Sequence, residues 1–132
     1  MSARVIFACV HNAGRSQMAA AFFRRTADPA KATASSAGTE PAERVHPIVV
    51  EAMREVGIDL DARPQRLSAD LAAEATHLVT MGCGDACPVV RGTIRDDWPL
   101  DDPKGQPIER VRAIRDDIEA RVRGLVEANH WS

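Results

Sequence analysis

Short apolar runs alternate along the chain with longer stretches in which apolar residues recur at helical spacing. The runs at 5–8 and 77–81 each lead into a polar segment that contains glycine. Each run therefore predicts a buried strand that ends in a loop. Small and β-permissive residues at 32–39 predict a further strand between them, and residues 97–103 predict a last strand edge or a loop.

Four stretches predict helices. Residues 16–25 are rich in helix formers and begin with a serine that is a candidate cap. Residues 47–56 start with proline and precede Gly57, which is typical of a helix terminus. Residues 67–73 predict a short helix. Residues 108–128 predict a long closing helix whose apolar face is formed by Ile108, Val111, Ile114, Ile118, Val122, Leu125 and Val126.

Strands that alternate with helices predict parallel strands joined by crossovers, and hence an α/β fold. We expect a doubly wound parallel sheet with helices on both faces. The 132 residues, 45% of them hydrophobic, suffice for one core but not for two, so residues 1–132 are expected to form a single domain. Ligands of such folds gather at the carboxyl ends of the strands.

The charge of the chain is balanced, with 17 Lys and Arg against 19 Asp and Glu. A net charge of -2 indicates neither a nucleic acid nor a membrane as partner. No stretch approaches the roughly 20 apolar residues of a spanning helix, and residues 1–10 lack the pattern of a secretory leader. We expect a cytoplasmic protein, and a monomer because no apolar stripe remains beyond those that the core must bury.

The loop between the first strand and the first helix, residues 9–16, reads Cys-Val-His-Asn-Ala-Gly-Arg-Ser. Backbone N–H groups of a tight loop at a helix N-terminus converge on a tetrahedral anion, and Arg15 can hold two of its oxygens. The same positive field stabilises a thiolate at Cys9, the form of cysteine that attacks. Ser16 can donate to that sulfur, while Asn12 can hold the loop through bonds to the backbone. The predicted anion-binding residues are Val10, His11, Asn12, Ala13, Gly14, Arg15 and Ser16.

An alternative is that Cys9 is merely the apolar end of a strand and Arg15 a surface residue at a helix start. The order of a strand, a Cys, a loop with Asn and Gly, and an Arg-Ser pair favours the catalytic interpretation. His11 is assigned to the anion-binding loop without a catalytic role.

Residues 5–18 resemble the phosphate-binding loop of the low-molecular-weight tyrosine phosphatase superfamily, including the Ser-Gln-Met that its arsenate reductase branch carries after the arginine. Ser-Ala-Gly-Thr at 36–39 is also similar to that branch. With an Asp-Pro at 102–103 and the closing helix, the resemblance extends from the first strand to the end of the chain. It implies a three-layer fold with a four-stranded parallel sheet, and the reduction of arsenate to arsenite in arsenic detoxification. Phosphate or sulfate would compete with arsenate, and neither a cofactor nor a metal is expected.

The departing oxygen of arsenate needs a proton, which a carboxylic acid near the anion can supply. In the family the acid is the Asp directly before Pro, and Asp102 matches that position, with Asp101 as the less favoured neighbour. Because Asp-Pro is common in turns, the alternative is a solvated loop aspartate that caps the next turn.

Cys83 and Cys87 distinguish a reductase from a phosphatase, because reduction of As(V) to As(III) needs two electrons and a thiol pair can supply them. The resemblance implies that Cys83 resolves the adduct on Cys9 and that Cys87 then attacks Cys83. The disulfide so formed would be reduced by thioredoxin; in some relatives the small thiol mycothiol takes that part. Only three residues separate Cys83 from Cys87, fewer than in the family, so the order of attack stays open. Structural zinc is disfavoured by the spacing of the cysteines and histidines.

Two other functions use the same residues. A tyrosine phosphatase would need Cys9, the loop and Asp102 but no second thiol, and it would form a phosphoenzyme on Cys9. The residues after the Asp-Pro are Lys-Gly-Gln and aromatic content is 4%, so a platform for a phenol ring is not indicated. A noncatalytic arsenite sensor would use the three thiols and need no acid, which the presence of Asp102 disfavours.

Overall fold

The computed structural model describes residues 2–82 and 92–132. Its sheet contains four strands: β1 (Ala3–Cys9), β2 (Ala32–Gly38), β3 (His77–Thr80) and β4 (Ile94–Asp97). The helices are α1 (Arg15–Thr26), α2 (Pro47–Arg54), α3 (Ala69–Ala73) and α4 (Ile108–Ala128).

The sheet is parallel throughout, in the order β2-β1-β3-β4. β1 lies at its centre and pairs Cys9 with Gly38 on one side and Ala8 with Thr80 on the other. The carboxyl ends of these three strands therefore meet at one edge of the sheet. The predicted α/β fold with a four-stranded parallel sheet is confirmed.

Alternate residues of β1 face opposite sides of the sheet, as the pleat of a strand requires. Val5, Phe7 and Cys9 enter the larger core, which α1, α2 and α4 cover. Ile6 and Ala8 enter a smaller core that contains Ala72 of α3. The thiol of Cys9 thus points to the side on which α1 packs, which is where a loop from β1 to α1 can surround it.

Most of the predicted elements agree with those of the structure. The closing helix has the predicted bounds 108–128, and α2 ends before Gly57, whose φ of 81° suits glycine. The last strand differs, because β4 ends at Asp97 and residues 98–103 form the loop that follows it. No helix in the described ranges has the length and apolar character that a membrane span requires.

The predicted cap of the first helix is wrong. The sequence indicates Ser16 as the cap, but α1 begins at Arg15 with Gly14 as its N-cap residue. Ser16 is fully buried, so its hydroxyl serves the interior of the site instead.

Candidate active site

The loop from Val10 to Gly14 connects the end of β1 to α1 at the carboxyl edge of the sheet. Cys9 precedes this loop as the last residue of β1, and its side chain is buried. Arg15 follows it as the first residue of α1. The thiol and the guanidinium therefore lie at the two ends of a loop that opens into a helix N-terminus, a site that favours an anion.

The carbonyl groups of this segment all accept hydrogen bonds from outside the loop. Backbone N–H groups of the chain after β2 donate to four of them: Thr39 to Cys9, Glu40 to Val10, Ala42 to His11 and His46 to Ala13, at 2.7–3.2 Å. The Asn12 carbonyl accepts from the Gln17 side chain, and that of Gly14 from the Met18 N–H within α1. With these carbonyls engaged, the N–H groups of the loop are the backbone groups available to bind an anion.

Gly38 is what allows the chain after β2 to approach so closely. A Cβ at this position would lie 2.6 Å from the Val10 carbonyl oxygen and 2.9 Å from the Asn12 nitrogen. Any larger residue would push the loop away from the sheet edge. The glycine of the Ser-Ala-Gly-Thr segment is therefore a requirement of packing against the anion loop.

A chain of hydrogen bonds fixes the direction of the Ser16 hydroxyl. The backbone N–H of Gln65 can only donate, and it bonds to Asn12 Oδ1 at 3.0 Å. The other end of that amide, Nδ2, therefore donates to Ser16 Oγ at 2.7 Å. Ser16 Oγ also lies 2.9 Å from Cys9 Sγ, and when Cys9 is a thiolate, which has no proton, the Ser16 O–H is the donor of this bond. A hydrogen bond of this kind stabilises the thiolate form of Cys9.

Asn12 adopts a left-handed conformation, with φ of 51°. Asparagine tolerates this region better than most residues, and here its side chain is held at both ends. The bond from the Gln65 N–H is a bond between the Asn12 side chain and the backbone, and it ties the loop to the segment that contains residue 65. Gln17 Nε2, 3.2 Å from Asn12 Oδ1, adds a second donor to the same oxygen.

Arg15 is held over the loop from the side of β4. Its Nη1 donates to the Leu100 carbonyl at 3.0 Å, and its Nη2 lies 3.9 Å from Asp102 Oδ2. A Cβ on Gly82, at the end of β3, would lie 2.6 Å from Nη1, so this glycine leaves the room that the guanidinium occupies. Only 8% of Arg15 is exposed, and its orientation is set before an anion arrives.

Asp102 lies in the loop before α4 and is brought to Arg15 by the packing of Pro103. Its side chain is 45% exposed, and Oδ1 accepts the backbone N–H of Lys104 at 3.0 Å. The aspartate thus caps a turn and also faces the candidate anion site with its other oxygen. Its neighbour Asp101 instead forms an ion pair with Arg110 of α4. Asp102 is therefore the carboxylate beside Arg15, and Asp101 is the one paired with α4.

His46 stands beside the same loop, at the N-terminus of α2. Burial lowers the pKa of His46 below its ordinary value of 6.5, the carboxylate of Asp102 opposes this shift, and Lys104 and His11 add to it. The imidazole therefore shares its surroundings with the candidate acid, a lysine and a residue of the anion loop. His11 itself is turned by a contact of its Nδ1 with the Glu40 carbonyl oxygen at 3.1 Å.

The structure brings Asp102 to the continuous segment that contains Cys9, the loop residues and Arg15. Cys83 and Cys87 fall outside the described residues. Sequence reasoning missed four contributors: Gln65, Gly82, the Leu100 carbonyl and His46. Backbone donors and acceptors cannot be recognised from the sequence. Of the four, only Gly82, the glycine directly after the predicted third strand, could have been suspected from the sequence. Among residues 2–82 and 92–132 no cluster of His, Cys, Asp or Glu could hold a metal ion.

Comparisons with known proteins agree with this geometry. The model of the low molecular weight phosphotyrosine protein phosphatase family matches residues 4–130. A Halobacterium salinarum protein provisionally named an arsenate reductase is 44% identical over 92% of this chain and 89% of its own length.

Two solved structures show which activities this fold supports. A thioredoxin-dependent arsenate reductase of Corynebacterium glutamicum superposes with a TM-score of 0.85 at 36% identity over 98% of this chain. This chain spans only 62% of that protein's length. An arginine phosphatase of Geobacillus stearothermophilus superposes with a TM-score of 0.80 at 30% identity, covering 97% of this chain and 93% of its own. The fold alone therefore does not separate reductase from phosphatase.

Proposed function

Because this chain belongs to the low molecular weight phosphotyrosine protein phosphatase family, we propose that it binds a tetrahedral oxyanion in the loop 9–16 and reduces arsenate to arsenite. The observation that supports this most strongly is the 2.9 Å contact between Ser16 Oγ and Cys9 Sγ, together with a guanidinium of Arg15 that the Leu100 carbonyl already holds. Nucleophile, oxyanion donors and candidate acid share one edge of the sheet. The names of the most similar relatives favour arsenate as the substrate.

In the first step the anion binds to the N–H groups of the loop and to Arg15. Two guanidinium N–H groups suit two oxygens of a tetrahedral anion. The Cys9 thiolate lies below the bound arsenic and attacks it in line with the As–O bond that faces Asp102. Phosphate and sulfate have the same shape and compete for the site.

Asp102 acts as the general acid of that step. The S–As bond forms while one As–O bond breaks, and the Asp102 proton passes to the departing oxygen, which leaves as water. The separation of 3.9 Å between Arg15 Nη2 and Asp102 Oδ2 supports this role, since both groups can reach one bound anion. Its partial exposure lets the carboxylate take a new proton from solvent after each turnover.

Reduction of arsenic needs a second thiol. The Cys83 sulfur attacks the Cys9 sulfur, so that an S–S bond forms, the S–As bond breaks and the electron pair stays on arsenic as arsenite leaves. Cys87 then attacks Cys83, which releases the Cys9 thiolate and leaves a Cys83–Cys87 disulfide. The sequence supplies both cysteines; this part of the proposal depends on it and on the relatives.

Thioredoxin is the proposed electron donor, because the similar Corynebacterium glutamicum protein is named as thioredoxin-dependent. Mycothiol is the second candidate and would replace the intramolecular steps by attack on the Cys9 adduct. The two donors make different demands on the chain: thioredoxin needs both Cys83 and Cys87, whereas mycothiol needs Cys9 alone.

The phosphatase alternative keeps the same nucleophile, loop and acid and ends with hydrolysis of a Cys9 phosphoenzyme. The family name and the structural similarity to an arginine phosphatase are as compatible with a phosphatase as with a reductase. What disfavours it is the pair of further cysteines, which a phosphatase does not use, and the absence of an aromatic residue among those that follow Pro103 up to 107.

The decisive experiment measures arsenate-dependent NADPH oxidation with thioredoxin and its reductase. Wild type, C83S and C87S are compared, and the same samples are tested for hydrolysis of an aryl phosphate. Loss of arsenate turnover in both variants, with any phosphatase activity unchanged, supports the three-thiol reductase. Turnover that survives both substitutions with mycothiol as donor indicates the single-thiol route. Aryl phosphate hydrolysis without arsenate turnover would overturn the proposal.

A further inference from the structure

The chain after β2 grips the anion loop at four carbonyls, and His46 is the last of these contacts. Its N–H donates to the Ala13 carbonyl at 2.9 Å. This bond fixes the peptide that joins Ala13 to Gly14, whose N–H is one of the backbone groups available to an anion. His46 also starts α2, since its own carbonyl accepts from Val49 and Val50. The residue therefore ties the anion loop to the helix on its flank.

The imidazole of His46 is placed differently from its backbone. It is half-buried, makes no capping bond to α2, and interacts with two other segments. One is the loop before α4, through the carboxylate of Asp102 and the side chain of Lys104, and the other is the anion loop, through the ring of His11. Both segments border the predicted anion site, so we expect a bound anion to feel the charge of a protonated imidazole.

We propose that His46 is a positioning residue for the anion. Its backbone N–H holds the Ala13 carbonyl, and its imidazolium adds positive charge beside Asp102. This inference rests on the proposed binding of an oxyanion by the loop 9–16. The backbone contribution is present at every pH. The side-chain contribution is present only when the ring is protonated, so protonation of His46 at low pH raises the affinity for the anion.

Three groups set the size of that component. Asp102 favours the protonated ring, while burial and the electrostatic interactions with Lys104 and His11 favour the neutral ring. Because the net effect lowers the pKa of His46 below its ordinary value of 6.5, the charge belongs to the acid side of that value. At higher pH the imidazole contributes no charge, and a neutral side chain of similar size should replace it without effect.

The side-chain role is tested by the protection that inorganic phosphate gives Cys9 against iodoacetamide, followed on the Cys9 peptide by mass spectrometry. Wild type and H46Q are compared across pH, and the ratio of their phosphate affinities cancels the titration of phosphate itself. We expect equal affinity at about pH 8 and wild type to bind about threefold more tightly at about pH 5.5. A ratio that does not change with pH overturns the side-chain role.

His77 provides a matched control. The His77 side chain is also half-buried, and burial also lowers its pKa. It lies at the start of β3, at the edge of the sheet away from the anion loop, and it packs against Trp131 with ring centroids 5.0 Å apart. H77Q should follow wild type in phosphate affinity at both pH values. If H77Q reproduces the effect of H46Q, a global change of the protein explains the data and the inference fails.

The backbone role is tested by H46P, which lacks the N–H. The φ of -59° and ψ of 130° at this position suit proline. We expect H46P to bind phosphate about tenfold more weakly than H46Q at both pH values, as the loss of one positioned hydrogen bond implies. Equal affinity of the two variants overturns this role, and a thermal melt of both checks that H46P is folded. Since the readout is phosphate binding, absence of arsenate turnover in wild type would refute the proposed reaction without deciding this inference.

Discussion

The ring of Pro103 lies directly on Gly14, so that a Cβ at position 14 would be 2.8 Å from Pro103 Cγ and 3.5 Å from its Cδ. Pro103 follows the candidate acid, and Gly14 belongs to the anion loop. This contact therefore positions the segment of Asp102 against the anion loop. Val49 of α2 borders the same point, since its Cγ2 would lie 3.6 Å from that Cβ. The anion loop, the segment of Asp102 and Pro103, and α2 thus pack together at Gly14, where there is no room for a Cβ.

G14A should lower arsenate turnover by at least about tenfold, because the new methyl group displaces Pro103 and with it Asp102 by a fraction of an ångström or more. Alkylation of Cys9, which does not need the acid, should fall less. The measurement is kcat together with the alkylation rate. G124A is the control: a Cβ there meets nothing within 4 Å on α4, and it should stabilise the protein by up to about 1 kcal/mol with unchanged turnover. Full activity of G14A would show that the contact does not position the acid.

S16A should slow the alkylation of Cys9 at neutral pH by roughly tenfold, since it removes the hydrogen bond to the sulfur. It also leaves Asn12 Nδ2 without its acceptor inside a buried site. S68A matches the change chemically: that hydroxyl accepts the Leu71 N–H at the start of α3, on the other face of the sheet. S68A should lower stability by about 1 kcal/mol and leave Cys9 reactivity as it is. The opposite pattern would contradict the role given to Ser16.

D102N should reduce arsenate turnover by about a hundredfold or more, because the amide has no proton to give to the departing oxygen. Phosphate protection of Cys9 should persist, since the loop and Arg15 still hold the anion. D101N serves as the comparison, because Asp101 pairs with Arg110 and does not face the loop. If turnover survives D102N, Asp102 is not the acid, and a protein that only binds the anion would be indifferent to the change.

How much of this site could be predicted depends on whether its parts are local in sequence. Cys9, Arg15 and the loop between them occupy one continuous segment after an apolar run, and the helix formers that follow make its setting recognisable. Asp102 was accessible only through the family resemblance, since an Asp-Pro by itself indicates a turn. The turn is present too, in the bond from the Lys104 N–H.

The contacts that orient these groups could not be predicted, because most of them come from distant backbone atoms. Gln65 fixes Asn12 through its main-chain N–H, and Leu100 holds Arg15 through its carbonyl. Any residue type could provide either group. The assignment of Ser16 as a helix cap is wrong for a related reason. The Ser16 hydroxyl belongs to the buried network with Cys9 and Asn12, and the N-cap is Gly14, two residues earlier.

Acid denaturation should depend on Glu55, which joins α2 to α4. Its carboxylate accepts bonds from Arg112 and Arg115, and the hydrogen bond from Arg112 is the main reason that the pKa of Glu55 falls from 4.5 to about 2. Because the folded state holds this carboxyl ionised more strongly than the unfolded chain does, its contribution to stability is complete above pH 4.5 and is lost as the pH falls toward 2.

E55Q should therefore lower the free energy of unfolding at pH 7. It should also flatten the decline of that free energy between pH 4.5 and pH 2, measured by urea denaturation at a series of pH values. E127Q removes an exposed carboxylate at the far end of α4 and controls for the loss of one negative charge. An unchanged slope in E55Q would show that the ion pairs with α4 are too well solvated to matter.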